Sequence, residues 1–233
     1  MAIDNSPFID FHNHSNWHGE EVIEVVSIHG NQDKKAKLYT IGYHPWWTER
    51  VLDESELKFI SDKYVNDNNC LGLGEFGLDK LKGAQLNIQE EIVIQQINLA
   101  NELNAPVIIH CVRAYDRLIR LKKDLGKTEW AIHGFMRNKI LAKQILDANI
   151  KLSIAPQHQM KDTFIEMAQY IPLTHIFLET DSDFRINIID RYRIFAALRK
   201  MDLEPLKSQL FQNFKKFYQE KWKYQSGWSE QHY

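Results

Sequence analysis

The sequence predicts an α/β fold, a TIM-type (β/α)8 barrel that is distorted because its first two outer helices are short or missing. Eight short apolar runs each end in a polar or ionisable residue, a pattern typical of buried parallel strands. Amphipathic segments follow most of these runs, and such alternation indicates a parallel sheet with helices outside. The 233-residue chain shows no internal repeat and no Pro/Gly/Ser-rich linker, so we expect one domain over residues 1–233.

The predicted elements follow one another in a regular order. The predicted strands cover residues 8–12, 23–29, 38–44, 70–75, 106–110, 130–134, 150–154 and 175–181. The predicted helices cover residues 54–64, 87–103, 114–125, 139–148, 163–170, 190–201 and 204–222. In the second of these, Ile88, Ile92, Leu99 and Leu103 recur at a spacing that gives a helix one apolar face.

The first three strands are too close together for helical crossovers. Only about nine residues separate each from the next, whereas a parallel crossover needs about 10–12 or more. One flank of the barrel would then be thinly covered. A partner subunit, which would make the protein an oligomer, or the aromatic tail would cover it. The tail contains Trp222, Tyr224, Trp228 and Tyr233.

Composition and charge exclude several classes of protein. The net charge of −2 gives no overall basic field for nucleic acid, so a phosphate-bearing partner must be held by a local patch or by metal. No apolar run is long enough to span a bilayer, and no signal peptide fits the N-terminus. Cys70 and Cys111 lie in predicted strands, where buried structural thiols indicate a reducing compartment. We therefore expect a cytoplasmic protein with no membrane association.

Seven potential donor residues lie at the carboxyl ends of the predicted strands. A parallel barrel gathers such residues at one mouth, and imidazoles with carboxylates are the ligands that divalent metals take. A single histidine at a strand end is more often a hydrogen-bonded structural residue, but packing does not explain the whole set. The residues are His12, His14, His44, Glu75, His110, His133 and Asp181.

The residues near these ends are expected to have different roles. His12 and His14 are two positions apart, so on a regular strand both point the same way and bind one ion. His44 precedes Pro45 and is either a substrate ligand or a residue that supports the ligands. Asp10 is expected to orient a ligand. The remaining histidines weighed are His29, at a strand end where the fold looks truncated, and the loop residues His18 and His158, expected to be exposed.

Motifs along nearly the whole chain resemble the TatD-like metal-dependent hydrolases, the TatD deoxyribonuclease family of the amidohydrolase-like superfamily. The most specific is G-E-F-G-L-D at residues 74–79, followed by L-E-T-D-S at residues 178–182. The others are the D-x-H-x-H segment within residues 8–14, G-Y-H-P at 42–45, P-V-I-I-H-C at 106–111 with Ala114 and Asp116, and H-G-F at 133–135.

The resemblance implies a metal centre and a reaction. Its metal ligands would be His12, His14, Glu75, His110, His133 and Asp181, holding two divalent ions with Glu75 between them. The ions would be Zn, Mn, Mg, Co or Ni, since such mixed sites accept several metals. A metal-activated water would attack a phosphodiester, with Asp181 accepting its proton and Glu75 as the second catalytic residue. DNA or another phosphodiester would be the substrate.

Substrate contacts are expected from residues just after the strands. His44, Arg113, Arg137 and Trp46 are the candidates. The arginines would bind a phosphate, as would Arg185 and Lys80, and Trp46 with Trp47 would form a stacking wall for a base. Packing over the thin flank is the alternative reading of the two tryptophans.

The chain also departs from the family pattern. Val112 stands where the family has arginine, with Arg113 one place later, and Asp183 replaces the proline after E-T-D-S. The usual N-E-P segment is absent around Asn187, and residues 136–138 lack the usual small pair. Because the ligands are kept while the substrate-facing surface differs, hydrolysis is better supported than DNA as the substrate.

Two alternatives to a phosphodiesterase remain at this point. The same metal cluster would serve an amidase, lactonase or deacylase that attacks a carbonyl carbon. The trimmed helices and the lost arginine also fit a non-catalytic binding protein on a former enzyme scaffold, although such a protein is expected to lose at least one ligand.

Overall fold

The computed structural model describes residues 6–15, 19, 21–32, 34–223 and 225. Eight parallel strands pair in sequence order, as the sequence predicts. The strands are β1 (Phe8–Asn13), β2 (Val22–His29), β3 (Tyr39–Gly42), β4 (Cys70–Asp79), β5 (Val107–Val112), β6 (Trp130–Ile132), β7 (Ile150–Ile154) and β8 (Ile176–Leu178). A parallel bridge between Asn13 and Asp181 joins the last strand to the first, so the barrel is nearly closed.

Helices surround the sheet from the third strand onward. They are α1 (Glu54–Asn66), α2 (Leu86–Leu103), α3 (Tyr115–Asp124), α4 (Lys139–Asp147), α5 (Asp162–Tyr170), α6 (Ile188–Arg199) and α7 (Leu203–Lys223). The described residues between β1 and β2, and between β2 and β3, contain no helix, which confirms the predicted loss of the first two outer helices. None of the helices described has the length and apolar character that a membrane crossing requires.

Apolar side chains of the strand on the flank that lacks helices are buried. Val22, Val26 and Ile28 on β2 are buried within this single chain and belong to the larger apolar cluster of the protein. Trp222 packs edge-on against Phe211 and Phe214 of its own helix. Tyr224, Trp228 and Tyr233 lie outside the described residues. Cover by a partner subunit, and hence an oligomer, stays a prediction.

Aromatic residues of α7 pack against the interior of the barrel. Phe11 of β1 stacks on Phe177 of β8 with ring centroids 3.8 Å apart. Phe217 of α7 meets both rings edge-on, at 5.3 Å and 5.5 Å. A second apolar cluster therefore joins the inner residues of the strands to α7, and the polar strand ends lie beyond it.

Candidate metal centre

Two strand irregularities lie beside the predicted ligands. Between β1 and β2 the pairing advances from Asp10 to Asn13 on one strand but only from Glu24 to Val26 on the other, which leaves one extra residue on β1. A similar shift lies in β4 between Leu73 and Phe76. Such bulges redirect side chains, so Phe11 packs in the inner core while the next residue, His12, lies in the polar site.

Glycine permits the close strand approach that brings β4 to β5 near the site. Gly74 has a φ of +128°, and a Cβ placed there would lie 2.4 Å from the carbonyl oxygen of Ile108. A Cβ on Gly77 would lie 1.9 Å from the carbonyl oxygen of His110. The G-E-F-G motif is therefore needed where β4 carries Glu75 against β5.

The predicted ligands meet at the carboxyl ends of the strands. A cavity of about 520 Å³ opens there, within the size range of small-molecule sites. Its wall includes His14, His44, Glu75, His110, His133 and Asp181. His12 is buried beside them.

Glu75 occupies the centre of this cluster. Its Oε1 lies 2.6 Å from His133 Nε2, 2.8 Å from His110 Nδ1 and 3.1 Å from His44 Nε2. Its Oε2 faces a different pair, at 3.3 Å from His12 Nε2 and 3.6 Å from His14 Nε2. The two oxygens of one carboxylate therefore face two separate sets of nitrogen donors.

Asp181 completes the side of the cluster that contains the His-x-His pair. His14 Nε2 lies 3.1 Å from Asp181 Oδ1. The backbone N–H of Asp181 donates to the carbonyl of His12 at 2.9 Å, and its φ of +53° is left-handed. These contacts fix the carboxylate beside His12 and His14.

The donors fit a divalent cation. Ligand atoms lie within 4.8 Å of one another in three groups, and each group combines imidazole nitrogen with carboxylate oxygen. His12 Nε2 and Glu75 Oε2 are buried, and although they lie 3.3 Å apart neither atom makes a hydrogen bond. Such a state is costly unless an ion or water satisfies both atoms. The three groups are His12 with His133 and Asp181, His12 with His14 and Glu75, and His44 with Glu75 and His110.

Electrostatics keep the carboxylates ionised. Burial opposes the charge of Glu75, but the neighbouring His133 and His12, with a hydrogen bond from His110, hold its pKa well below the usual value. Burial also opposes the charge of Asp181, yet the hydrogen bond from His14 lowers its pKa. For His133, the carboxylates of Glu75 and Glu179 outweigh burial and raise the pKa well above its usual value.

Two buried carboxylates lie beside the ring nitrogens of His133 and His110 that do not face Glu75. Glu179 accepts a hydrogen bond from the N–H of Gly134 at 2.6 Å and lies 3.7 Å from His133 Nδ1. Asp79 Oδ2 accepts from the indole N–H of Trp46 at 2.7 Å and lies 3.3 Å from His110 Nε2. Sequence reasoning gave these carboxylates no role, although both stand in the motifs at 74–79 and 178–182 and carried a signal there.

The structure places some of the predicted substrate residues in the cavity lining and others outside it. His44 lies in the cavity wall, and Trp46 lines its mouth. Arg113 and Arg137 are exposed and are not among the described residues that line the cavity. Arg185 pairs with Asp183 at 2.8 Å.

Residues that sequence reasoning missed or set aside also line the cavity. Gln32 and Lys34 come from the loop between β2 and β3. His29 lines the wall, and its Nδ1 accepts the backbone N–H of His44 at 3.2 Å. The sequence feature that could have pointed to these residues is the position of their loop directly after a strand, because such loops surround the mouth of a parallel barrel. His158 is exposed as expected, and His18 lies outside the described residues.

A second cavity lies away from this centre, and neither cysteine lines the metal-centre cavity. The cavity, of about 460 Å³, is at the opposite end of the barrel and is lined by none of the candidate ligands. Cys70 and Cys111 are buried, unpaired thiols, and burial raises the pKa of each to about 12.

Comparison with known proteins identifies the family. The profile of the TatD-related DNase family matches residues 20–219. An uncharacterised metal-dependent hydrolase of Methanocaldococcus jannaschii is 28% identical over 201 residues, 79% of this chain and 77% of the relative. A deoxyribonuclease of Homo sapiens is 33% identical over 120 residues, and the match spans 49% of this chain but only 44% of the human protein.

Solved structures agree on the fold. A TatD homologue of Escherichia coli superimposes with a TM-score of 0.75 at 20% identity, over 91% of this chain and 98% of that one. A TatD-family hydrolase of Entamoeba histolytica gives a TM-score of 0.72 at 17% identity, over the same shares. The family profile covers most of the chain and the donor set is complete, so a non-catalytic scaffold is not favoured. The chain belongs to the TatD-related DNase family and is a metal-dependent hydrolase.

Proposed function

We propose that this hydrolase is a phosphodiesterase that cleaves DNA with two divalent metal ions. The observation that carries the proposal is the central position of Glu75, whose two oxygens face separate sets of histidines. A carboxylate that bridges two ions requires such a division. The human relative, described as a deoxyribonuclease, and the family profile support DNA as the substrate.

The contacts of Glu75 and Asp181 suggest how the ligands would divide. His12 and His14, which face Glu75 Oε2, would hold one ion with Asp181. His110 and His133, which face Glu75 Oε1, would hold the other, and Glu75 would be shared. His44 is within reach of the second group. Zn, Mn, Mg, Co and Ni all remain candidates, because mixed nitrogen and oxygen sites accept several metals.

The chain's own residues would perform the proton chemistry. Bound divalent ions lower the pKa of a water and polarise the phosphoryl group. Asp181 is partly exposed at the cavity, and its lowered pKa keeps the carboxylate ionised. One of its Oδ atoms would then accept a proton from the attacking water, whose acidity the metal ions would raise. His14 orients that carboxylate through the contact at 3.1 Å.

Residues at the mouth would receive the substrate. Trp47 is 55% exposed there and offers a ring on which a base stacks. His44 points its Nε2 at Glu75 and stands between the metal ligands and the two tryptophans.

We also propose that residues 1–233 form a single domain. The buried, unpaired thiols support a reducing compartment, the cytoplasm.

Metal analysis combined with cleavage assays tests the proposal. We expect two equivalents of Zn, Mn, Mg, Co or Ni in protein purified without chelator, and metal-dependent cleavage of bis(p-nitrophenyl) phosphate and of short single-stranded DNA. His12→Ala should lose metal, and Asp181→Asn should lose turnover. Asp62→Asn makes the same chemical change on the exposed face of α1 and serves as the matched control. Bound metal with cleavage of esters or amides but not of phosphodiesters would refute the proposed substrate.

A further inference from the structure

The connection between β2 and β3 forms part of the cavity wall where a barrel normally has a helix. His29, Gln32 and Lys34 from this segment line the cavity. The ammonium group of Lys34 donates a hydrogen bond to the backbone carbonyl of His14. The loss of the helix therefore brings a cationic side chain within contact of a candidate metal ligand.

Lys34 places a positively charged side chain in the cavity lining. Among the described residues that line the cavity it is the one lysine or arginine. The arginines that follow β5 and β6, Arg113 and Arg137, are exposed and outside the lining. The charged side chain that would bind an anionic group of a substrate in the cavity is therefore Lys34, on the β2–β3 loop. Its ammonium group would form a charge-assisted hydrogen bond with a phosphate oxygen.

The two neighbouring tryptophans differ in what they can bind. The indole N–H of Trp46 donates to Asp79 at 2.7 Å, and Lys82 Nζ lies 3.6 Å from its ring centroid. Trp46 is therefore fixed by its own contacts. Trp47 meets His29 edge-on at 5.4 Å and His44 at 4.7 Å, and it is the more exposed of the two rings.

We propose that Lys34 and Trp47 together bind one nucleotide unit of the substrate, Lys34 through the phosphate and Trp47 through the base. The inference rests on the proposed phosphodiesterase function and specifies how that site recognises its substrate. A cavity of about 520 Å³ fits a small ligand. The recognition unit is therefore a single nucleotide that enters the mouth beside the metal ligands.

Calorimetry can measure the binding of thymidine 5′-monophosphate and of thymidine to the metal-loaded protein. A comparison of the two compounds separates the phosphate contact from the base contact. Lys34→Ala should weaken binding of the monophosphate by about tenfold and leave thymidine unchanged, because only the charged hydrogen bond is lost. Lys34→Arg should restore much of the loss. Trp47→Ala should weaken both compounds by roughly tenfold, as expected for a stacked base.

Controls separate recognition from effects on the metal centre. Lys35→Ala removes a neighbouring, exposed charge that does not line the cavity and should bind as the wild type does. Metal content should be unchanged in Lys34→Ala. Loss of metal in that variant would mean that Lys34 acts by positioning His14, and the inference would be overturned.

The outcomes also distinguish this inference from the proposed function. If the protein cleaves no phosphodiester but binds the monophosphate through Lys34, the proposed function fails and the nucleotide site stands. If it cleaves DNA while Lys34→Ala binds the monophosphate as well as the wild type does, the inference alone fails. A wild-type protein that does not bind the monophosphate would also overturn the inference.

Discussion

Asp10 of β1 and Thr180, which follows β8, are joined by two hydrogen bonds across the seam of the barrel. Asp10 Oδ1 accepts from the backbone N–H of Thr180 at 2.9 Å, and Oδ2 accepts from its hydroxyl at 2.6 Å. Both residues are fully buried. Since His12 and Asp181 lie close to these residues along the chain, the seam sets the relative position of two candidate ligands on different strands.

Asp10→Asn should therefore reduce both stability and turnover. The amide offers one acceptor oxygen in place of two, so one donor of Thr180 loses its partner in the interior. We expect the free energy of unfolding to fall by about 2 kcal/mol, measured by urea denaturation, and kcat to fall while metal remains bound. Thr180→Val removes one of the two bonds, and a double-mutant cycle with Asp10→Asn should show coupling between the sites. Strict additivity would contradict the role given to this seam.

Arg191 joins the loop that follows β7 to the loop that follows β8. Its buried guanidinium donates to the carbonyls of Pro156 at 3.1 Å, Asp183 at 2.8 Å and Ile186 at 3.2 Å. Arg191→Lys cannot reach all three carbonyls with one ammonium group, so we expect a loss of about 2–3 kcal/mol in unfolding free energy. The matched control, Arg193→Lys, alters an exposed pair with Asp190 and should cost less than about 0.5 kcal/mol. Equal unfolding curves for the two variants would disprove this role.

The interior contacts of α7 should be tested separately from the metal centre. Phe217 is buried against Phe11 and Phe177, so Phe217→Ala leaves a cavity and should cost about 3–5 kcal/mol. Metal content per folded molecule should not change, because this ring packs against Phe11 and Phe177 in the inner apolar cluster. Phe59→Ala, at a partly exposed ring on α1, is the control and should cost much less. A Phe217→Ala protein as stable as wild type would show that α7 is not part of the core.

The fold class and the clustering of potential donor residues at the strand ends were both accessible from the sequence, for a common physical reason. Buried parallel strands need continuous apolar runs, and a carboxylate or histidine that ends such a run stands out because its burial is costly without a partner. Spacing also revealed the missing helices, since the segments between β1, β2 and β3 are too short for them. The six residues expected to bind metal converge in the structure.

The recognition surface was less accessible because loop side chains follow no periodicity. Arg113 and Arg137 stand just after strands in the sequence, but a left-handed turn at Arg113 (φ +56°) and the exposed positions of both remove them from the cavity lining. Lys34 lies in an irregular loop, and only the three-dimensional path of that loop brings it to His14. The bulge in β1, which lets Phe11 and His12 serve different parts of the interior, likewise leaves no signal in an alternating pattern.

Metal binding should release protons and weaken in acid. In the metal-free protein Glu75 and Glu179 outweigh burial and raise the pKa of His133, so this ring carries a proton that a metal ion must displace. In the absence of metal, the raised pKa stabilises the fold fully below the unfolded-state pKa of about 6.5, and that stability is lost as pH rises through the folded pKa. We therefore expect the Tm of the metal-free protein to fall as the pH rises above about 6.5, and metal affinity to increase over the same interval. Calorimetric titration of Zn or Mn in two buffers of different ionisation enthalpy measures the protons released.

Two variants test whether His133 is the source of these protons. Glu179→Gln removes one carboxylate that raises the pKa of His133 and should reduce the proton release. Glu90→Gln, in a surface pair with Arg117, should leave the proton release unchanged. Metal affinity independent of pH, with no proton release, would rule out His133 as a ligand that is protonated before metal binds.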